Sequence, residues 1–371
     1  MSLYKKNTGV KLIKIPNCKP SFIPESKEYM TKVVDSGWLT QGNVTAEFED
    51  DLSRYLSSNV TTVNNGTSAL IVALLAHDIK KGDKVIVPDY TFIATSSAVK
   101  LLGAEVLVSD VDPLTLNITP ESIEKLVTTN DVKAVIVVDL AGLSVDLDPI
   151  IELSKRYNFT LIDDAAQAFG AEYKNRKIGS FEHTTTFSFS YAKIISTIEG
   201  GCITTNNNEL LEKIRQLRDF GREKPGVYTH LLNSGNFRFN DVSAALGVKQ
   251  LEKIQEFIDN RNKIANEYKK NIRNLSFQKI PDYATTHCQM IFYLFAESKE
   301  IRDKYVQSLQ SSGIDARMPF LPVHRQPCNP ELKYSDCPCS DKIFDIAFTI
   351  PIYNEMRPDE YNMVIDVCNR I

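Results

Sequence analysis

The chain has 371 residues, too many for one compact core, so one large domain with a smaller companion is expected. Apolar residues make up 43% and charged residues 24%, the balance of a folded globular protein, which excludes extended disorder. A formal net charge of −4, with no run of Lys or Arg longer than two, leaves no footprint for nucleic acid or an anionic membrane and points to small-molecule partners.

The first residues lack the uninterrupted apolar stretch of a secretory signal. Nowhere do about 18 apolar residues run together as a spanning helix needs, so a cytoplasmic protein is expected. The seven cysteines, Cys18, Cys202, Cys288, Cys328, Cys337, Cys339 and Cys368, are odd in number and scattered, which argues against a disulfide framework. Cys337-Pro-Cys339 has the wrong spacing for a redox or zinc pair and no histidine at ligand spacing beside it, so no metal site is expected.

In chain order, β-branched runs alternate with helical patterns between Asn64 and Asn206: KVIVP (84–88), EVLVSD (105–110), KAVIVVDL (133–140), FTLIDDA (159–165), TTFSFS (185–190) and CITT (202–205). Such alternation predicts a mostly parallel sheet covered by helices on both faces. The continuous apolarity of Val135 to Val138 is what a strand buried on both sides requires. Thr119-Pro120 and Asp148-Pro149 read as helix caps with Pro at the first helical position. Asn240-Asp241 opens a long amphipathic helix carrying Val248, Leu251, Ile254 and Ile258, which leads out of the large domain. Beyond about Asn271, short elements punctuated by Pro281, Pro319, Pro322, Pro327, Pro330 and Pro338 predict the smaller α+β domain. The expected domains are 1–255 and 256–371.

Three segments carry chemistry. In FSFSYAKIISTIEGG (187–201) a strand ends in a loop whose Lys193 is flanked by Phe187, Phe189, Tyr191, Ile194 and Ile195; apolar surroundings lower an ammonium's pKa and free the amine for Schiff-base chemistry. In LIDDAAQAFGA (161–171) two carboxylates stand at the carboxyl end of a buried strand, where α/β sheets place ligands. Asp164, with Gln167 nearby, would partner the ring nitrogen of pyridoxal phosphate (PLP) and keep it protonated as an electron sink. In VNNGTSALIVALLAH (63–77) the amides of Gly66, Thr67 and Ser68 would open a helix and form an anion site.

In this order the segments resemble the DegT/DnrJ/EryC1/StrS family of PLP-dependent nucleotide-sugar aminotransferases. The resemblance extends over nearly the whole chain through IPNCKPSF, DSGWLTQGNVTAEFED, NNGTSAL, GDKVIVPDYTFIATSSAV, IDDAAQAFGAEYKNRKIGSF, FSFSYAK, EGGCITTN, GNFRFNDVSAALGVKQL and PVHRQP. It implies the fold-type-I aminotransferase architecture, with Lys193 as the PLP lysine, Asp164 as the pyridine partner and Gln167 as the amide over the ring or its hydroxyl. It further implies Phe92 stacked on the ring, Gly66, Thr67 and Ser188 at the phosphate, and Asn236 reaching the phosphate of a neighbouring subunit, hence a homodimer with shared sites. Trp38, Arg238 and His324 match positions near the sugar-nucleotide. Tyr191 and the other histidines, His77, His183, His230 and His287, are read as structural.

The chain departs from the family pattern at Asp139-Leu140-Ala141-Gly142, where His-Leu-Tyr-Gly is usual, at Leu143 for Gln or Asn, and at Tyr191-Ala192 before the lysine. These changes fall on the substrate side and leave the cofactor set intact. The expected reaction moves an amino group from an amino acid, glutamate foremost, to a nucleotide-linked keto-sugar, with a 4-keto-6-deoxy sugar favoured over a 3-keto one. The alternatives are a PLP-dependent sugar dehydratase, against which Lys193 stands because the family's dehydratases carry His there, and a PLP-binding regulator without turnover.

Overall fold

The computed structural model describes residues 14–371 except 225, 319 and 334; Pro319 and the first thirteen residues lie outside them. In chain order the strands are β1 (Asn59–Val63), β2 (Lys84–Pro88), β3 (Glu105–Ser109), β4 (Val132–Val138), β5 (Thr160–Asp164), the small hairpin β6 (Glu172–Tyr173) and β7 (Arg176–Lys177), then β8 (Thr184–Ser188), β9 (Gly201–Thr205), β10 (Ser276–Phe277), β11 (Phe292–Phe295) and β12 (Ala347–Ile350). Seven of them form one sheet in the order β1-β9-β8-β5-β4-β2-β3. Only β9 runs against its neighbours in that sheet.

The helices are α1 (Pro24–Ser36), α2 (Asn43–Leu56), α3 (Gly66–Ala76), α4 (Ala94–Leu101), α5 (Pro120–Val127), α6 (Leu147–Tyr157), α7 (Asn208–Arg218), α8 (Asp241–Leu251), α9 (Ile254–Asn271), α10 (Lys299–Ser311), α11 (Pro338–Ile346) and α12 (Pro358–Cys368). They cover both faces of the sheet. Side chains alternate across β4, so Val135 and Val137 enter one core with Phe48, Leu52 and Ile150, while Ala134 and Ile136 enter the other with Leu70, Leu74 and Val99. That division explains why β4 reads as an unbroken apolar run. Helix α3 is apolar nearly all round because it is buried against β8 and β9 between α4 and α7, with Ala69, Leu70, Val72, Ala73 and Leu74 all closed to solvent.

Two local expectations are corrected. Helix α6 starts at Leu147, before Asp148-Pro149: the Tyr173 hydroxyl donates to Asp146 Oδ1 (2.6 Å) and accepts the Asp148 N–H (3.2 Å), filling the cap position from outside. The helix opened by Asn240 stops at Leu251, and α9 begins afresh at Ile254. Thr119 does cap α5, its Oγ1 accepting the Ser122 N–H at 3.2 Å.

The second domain packs the antiparallel sheet β10-β11-β12 against α9, α10 and α12. Helix α9 serves both domains, since Phe257 and Ile258 lie in the large core while Ile264, Ala265 and Tyr268 lie in the small one. Ile15 also packs into the small core and bridges to Ile314, so the described start of the chain leans on the second domain although the expected large domain began at residue 1. A further cluster of Tyr90, Val138, Leu140, Tyr293, Phe295 and Ala347 joins the carboxyl ends of the parallel strands to the small sheet. The cavity described next opens above that seam.

Candidate active site

Strands β2, β4, β5 and β8 all end at one edge of the sheet, and their following loops converge on a cavity of about 780 Å³. Its wall includes Gly66, Thr67, Ser68, Phe92, Asp164, Gln167, Ser188 and Lys193. These come from four separate stretches of sequence, so the topology, not proximity along the chain, assembles them.

Asn65 caps α3 by accepting the Ser68 N–H at 2.8 Å, leaving the Gly66 and Thr67 amides for a ligand at the positive end of the helix. A Cβ at residue 66 would come within 2.7 Å of Ser188 Cβ. Glycine is therefore required there for α3 to approach the end of β8.

Lys193 is half-buried, and desolvation by the surrounding protein lowers its pKa to about 8, against the opposing pull of Asp164. The loop that carries it is fixed from the second domain. Asn354 donates to the Ile194 carbonyl (3.0 Å) and accepts from the buried Arg261 Nε, and Arg261 also holds the Gln289 carbonyl at 3.1 Å.

Asp164 is buried, and burial raises its pKa, while the Thr95 hydroxyl at 2.7 Å, the Ala166 N–H at 3.2 Å and Lys193 pull it back. A cation beside it would hold the carboxylate ionised. Asp163, one residue earlier, points to the other side of β5 as strand alternation demands. It does not line the cavity and lies 3.7 Å from His183. Gln167 Oε1 accepts the Ala141 N–H at 2.9 Å, which leaves its NH₂ as the group it can offer. Phe92 is 54% exposed, a large share for a ring in a pocket, and meets Phe320 edge-on at 5.9 Å.

This set fits PLP: amides and hydroxyls at a helix N-terminus suit a phosphate, the enclosed amine suits the aldehyde, the buried carboxylate suits the ring nitrogen, and the open phenyl face suits an aromatic ring. When bound, PLP supplies the electron sink and the carrier for an amino group.

Four expected residues lie elsewhere on the chain. Trp38 is 59% exposed, donates from Nε1 to the Gln41 carbonyl, and lines a shallow groove with Tyr29, Lys32 and Asp241. Asn236 is exposed, and its Oδ1 accepts the Arg238 N–H at 3.3 Å. Arg238 is paired with Asp219. His324 is buried, its Nδ1 2.6 Å from Asp89 Oδ2. None of the four lines the Lys193 cavity of its own chain.

Other residues join the wall that sequence reading passed over. Tyr191, read above as structural, is 54% exposed and lines the cavity, and the second domain contributes Met290, Ile291, Tyr293, Arg317, Met318 and Phe320. The place of Tyr191 two positions before the key lysine was a usable signal; the second-domain residues had none, because only tertiary packing brings them over the sheet. The cysteines are free thiols. Cys337, judged above to have no histidine at ligand spacing, meets His324, thirteen positions before it, and Asp89, more than 200 positions before it, in space; the meeting with Asp89 could not be read locally.

A doubly covered, mostly parallel sheet with a buried amine, a buried carboxylate and an anion-binding helix end along its carboxyl edge defines a fold-type-I PLP aminotransferase. The chain belongs to the DegT/DnrJ/EryC1/StrS aminotransferase family, whose model matches residues 20–369, and it is a PLP-dependent sugar aminotransferase. It is 34% identical to a GDP-perosamine synthase of Escherichia coli O157:H7 over 96% of this chain and 97% of that protein. It is 31% identical to a GDP-perosamine synthase of Caulobacter vibrioides over 97% and 99%. Among solved structures, a DegT/DnrJ/EryC1/StrS aminotransferase from Brucella abortus superimposes with a TM-score of 0.88 at 27% identity, covering 93% of this chain and 95% of that one. No helix among the described residues is long and apolar enough to cross a membrane.

Proposed function

We propose that the protein aminates the 4-keto carbon of a nucleotide-linked 4-keto-6-deoxy sugar, with glutamate as amino donor. The carrying observation is the enclosed Lys193 amine facing the same cavity as Asp164. Two relatives that match nearly end to end are named as GDP-perosamine synthases, and the apolar side of the cavity, with Phe92, Met290, Met318 and Phe320, suits a deoxygenated sugar edge.

In this reading Lys193 Nζ takes a proton from the donor's α-carbon side and returns it on the sugar side, a role that an amine with pKa near 8 fills at neutral pH. Asp164 holds the positive charge at the ring nitrogen, Gln167 bonds the ring's hydroxyl side, Phe92 stacks, and Gly66, Thr67 and Ser188 hold the phosphate. The protein works as a homodimer in which Asn236 completes the partner's phosphate site and Trp38 and Arg238 approach its sugar-nucleotide. Apolar groups left open on a single chain, Phe22, Val34, Trp38, Leu39 and Leu231, support an interface. For His324 the buried pairing with Asp89 supports an indirect role, taken up below. A dehydratase is disfavoured by Lys193, and a regulator without turnover by the complete set of cavity groups.

Turnover of 4-keto and 3-keto nucleotide sugars with glutamate, read by NMR of the product, tests the assignment. A 4-amino sugar is expected. A 3-amino product, or loss of a ring hydroxyl without amination, would overturn it.

A further inference from the structure

Asp89 follows β2 directly and has no exposed surface. Among the described residues its carboxylate is not matched by Lys or Arg; it meets His324 instead, Oδ1 accepting the backbone N–H at 2.8 Å and Oδ2 accepting from ring Nδ1 at 2.6 Å. The Asp89 carbonyl takes the Val323 N–H at 2.7 Å, and its own N–H donates to the Ser109 carbonyl at 2.8 Å. Three bonds on one residue therefore tie the end of β2 to a segment 235 positions away, and the fourth holds it to β3.

Both partners lie next to cavity walls. Thr91, Phe92 and Ala94 follow Asp89, and Thr95 beyond them donates to Asp164. Arg317, Met318 and Phe320 precede His324 on the facing side. Phe320 touches both Tyr90 (6.4 Å) and Phe92 (5.9 Å), so the spacing of the two walls at Phe92 is set where Asp89 clasps His324.

Cys337 Sγ also faces this pair, and the three donor atoms lie within 4.8 Å of one another. Two ligands of one tetrahedral zinc at bond lengths of about 2.0 Å stand roughly 3.3 Å apart. The 2.6 Å between Asp89 and His324 is instead the length of a charge-assisted hydrogen bond. At this spacing the pair is a hydrogen-bonded clasp.

We propose that Asp89 is a positioning residue that acts through His324 to hold Phe92 against the cofactor ring. This rests on the reading of Phe92 as the stacking aromatic. The imidazole supplies a rigid donor at Nδ1, and the buried carboxylate makes that bond strong enough to fix a loop that otherwise carries an exposed phenyl group.

The test strips PLP from native protein and from Asp89→Asn, His324→Ala, His324→Asn, Phe92→Leu and the Asp89→Asn/Phe92→Leu double variant. PLP is then titrated back, recording its dissociation constant, the visible circular dichroism of the bound cofactor, and the unfolding midpoint. Asp89→Asn and His324→Ala should each weaken PLP about tenfold, the scale of one aromatic contact, and diminish the dichroism. His324→Asn, whose amide nitrogen can replace Nδ1, should restore most of both. The double variant should be no worse than Phe92→Leu alone, because one residue acts through the other. If midpoints fall while affinity and dichroism stay native, or if the double variant's losses add, the proposal is overturned. Stoichiometric zinc in native protein that disappears in Cys337→Ala overturns it in favour of a metal. If Phe92→Leu itself changes neither readout, the stacking assignment fails first and this inference with it; if Phe92→Leu acts and Asp89→Asn does not, only this inference fails.

Discussion

Burial brings the Lys193 amine to about 8, and the sign of that shift has two measurable results. Between pH 8 and the ordinary lysine range the unfolded chain binds a proton that the folded, cofactor-free chain does not, so Lys193 makes that form gain stability as pH rises through this window. In the same form, an acylating reagent should modify Lys193 with a midpoint near pH 8, well below the ordinary lysine range; peptide mapping that found it among the slow lysines would contradict the enclosed amine. Lys193→Ala should cut turnover by about 10²–10⁴-fold, the usual worth of a positioned proton carrier, in single-turnover kinetics with glutamate. Asp164→Asn should slow both half-reactions about a hundredfold or more while PLP still binds. Asp163→Asn should matter far less, because Asp163 lies on the other side of β5. Equal damage from both would mean that the pair acts as a unit.

At the scale of elements, two glycines carry distinct constraints. Gly66 lets α3 close on Ser188, so Gly66→Ala forces overpacking of about 1–3 kcal/mol and pushes the helix amides off the phosphate position. The expected signature in equilibrium titrations is weakened PLP together with a lower denaturant midpoint. Gly142 has φ +91° and its Cβ would overlap Cys288 Sγ. Gly142→Ala should lower the midpoint while affecting PLP through Gln167, which is anchored on the adjacent Ala141 N–H. Ala141, itself at φ 61°, stands where the family usually has tyrosine. This departure lies in the loop that holds Gln167, not in the groups proposed to hold the cofactor.

For the whole molecule, the proposal that Asn236 reaches a neighbouring subunit's phosphate would make association part of the active site. A mixture of Lys193→Ala and Asn236→Ala chains can form one site free of both changes in each mixed dimer. Once subunit exchange is demonstrated by mass spectrometry of labelled chains, and Asn236→Ala alone is shown to be severely impaired, activity should reappear on mixing. No recovery would put Asn236 outside the partner's site.

The sequence by itself determined the six strands from Lys84 to Thr205, because their β-branched runs alternate with helical patterns and are bounded by turn residues. It also pointed to Lys193, Asp164, Gln167 and Gly66 as one set, since their chemistry is local: a helix end, an acid at a strand end, an amine among apolar neighbours; Phe92 joined them only through the family resemblance. It did not reach β1, whose NVTTV is short and polar and is held by pairing with β9. Nor did it reach the break between α8 and α9, where the apolar spacing continues although the helix does not. The tertiary structure alone decided which second-domain side chains close the cavity and that His324 pairs with Asp89. Each of these depends on contacts between distant segments, where neither residue carries a sign of its partner.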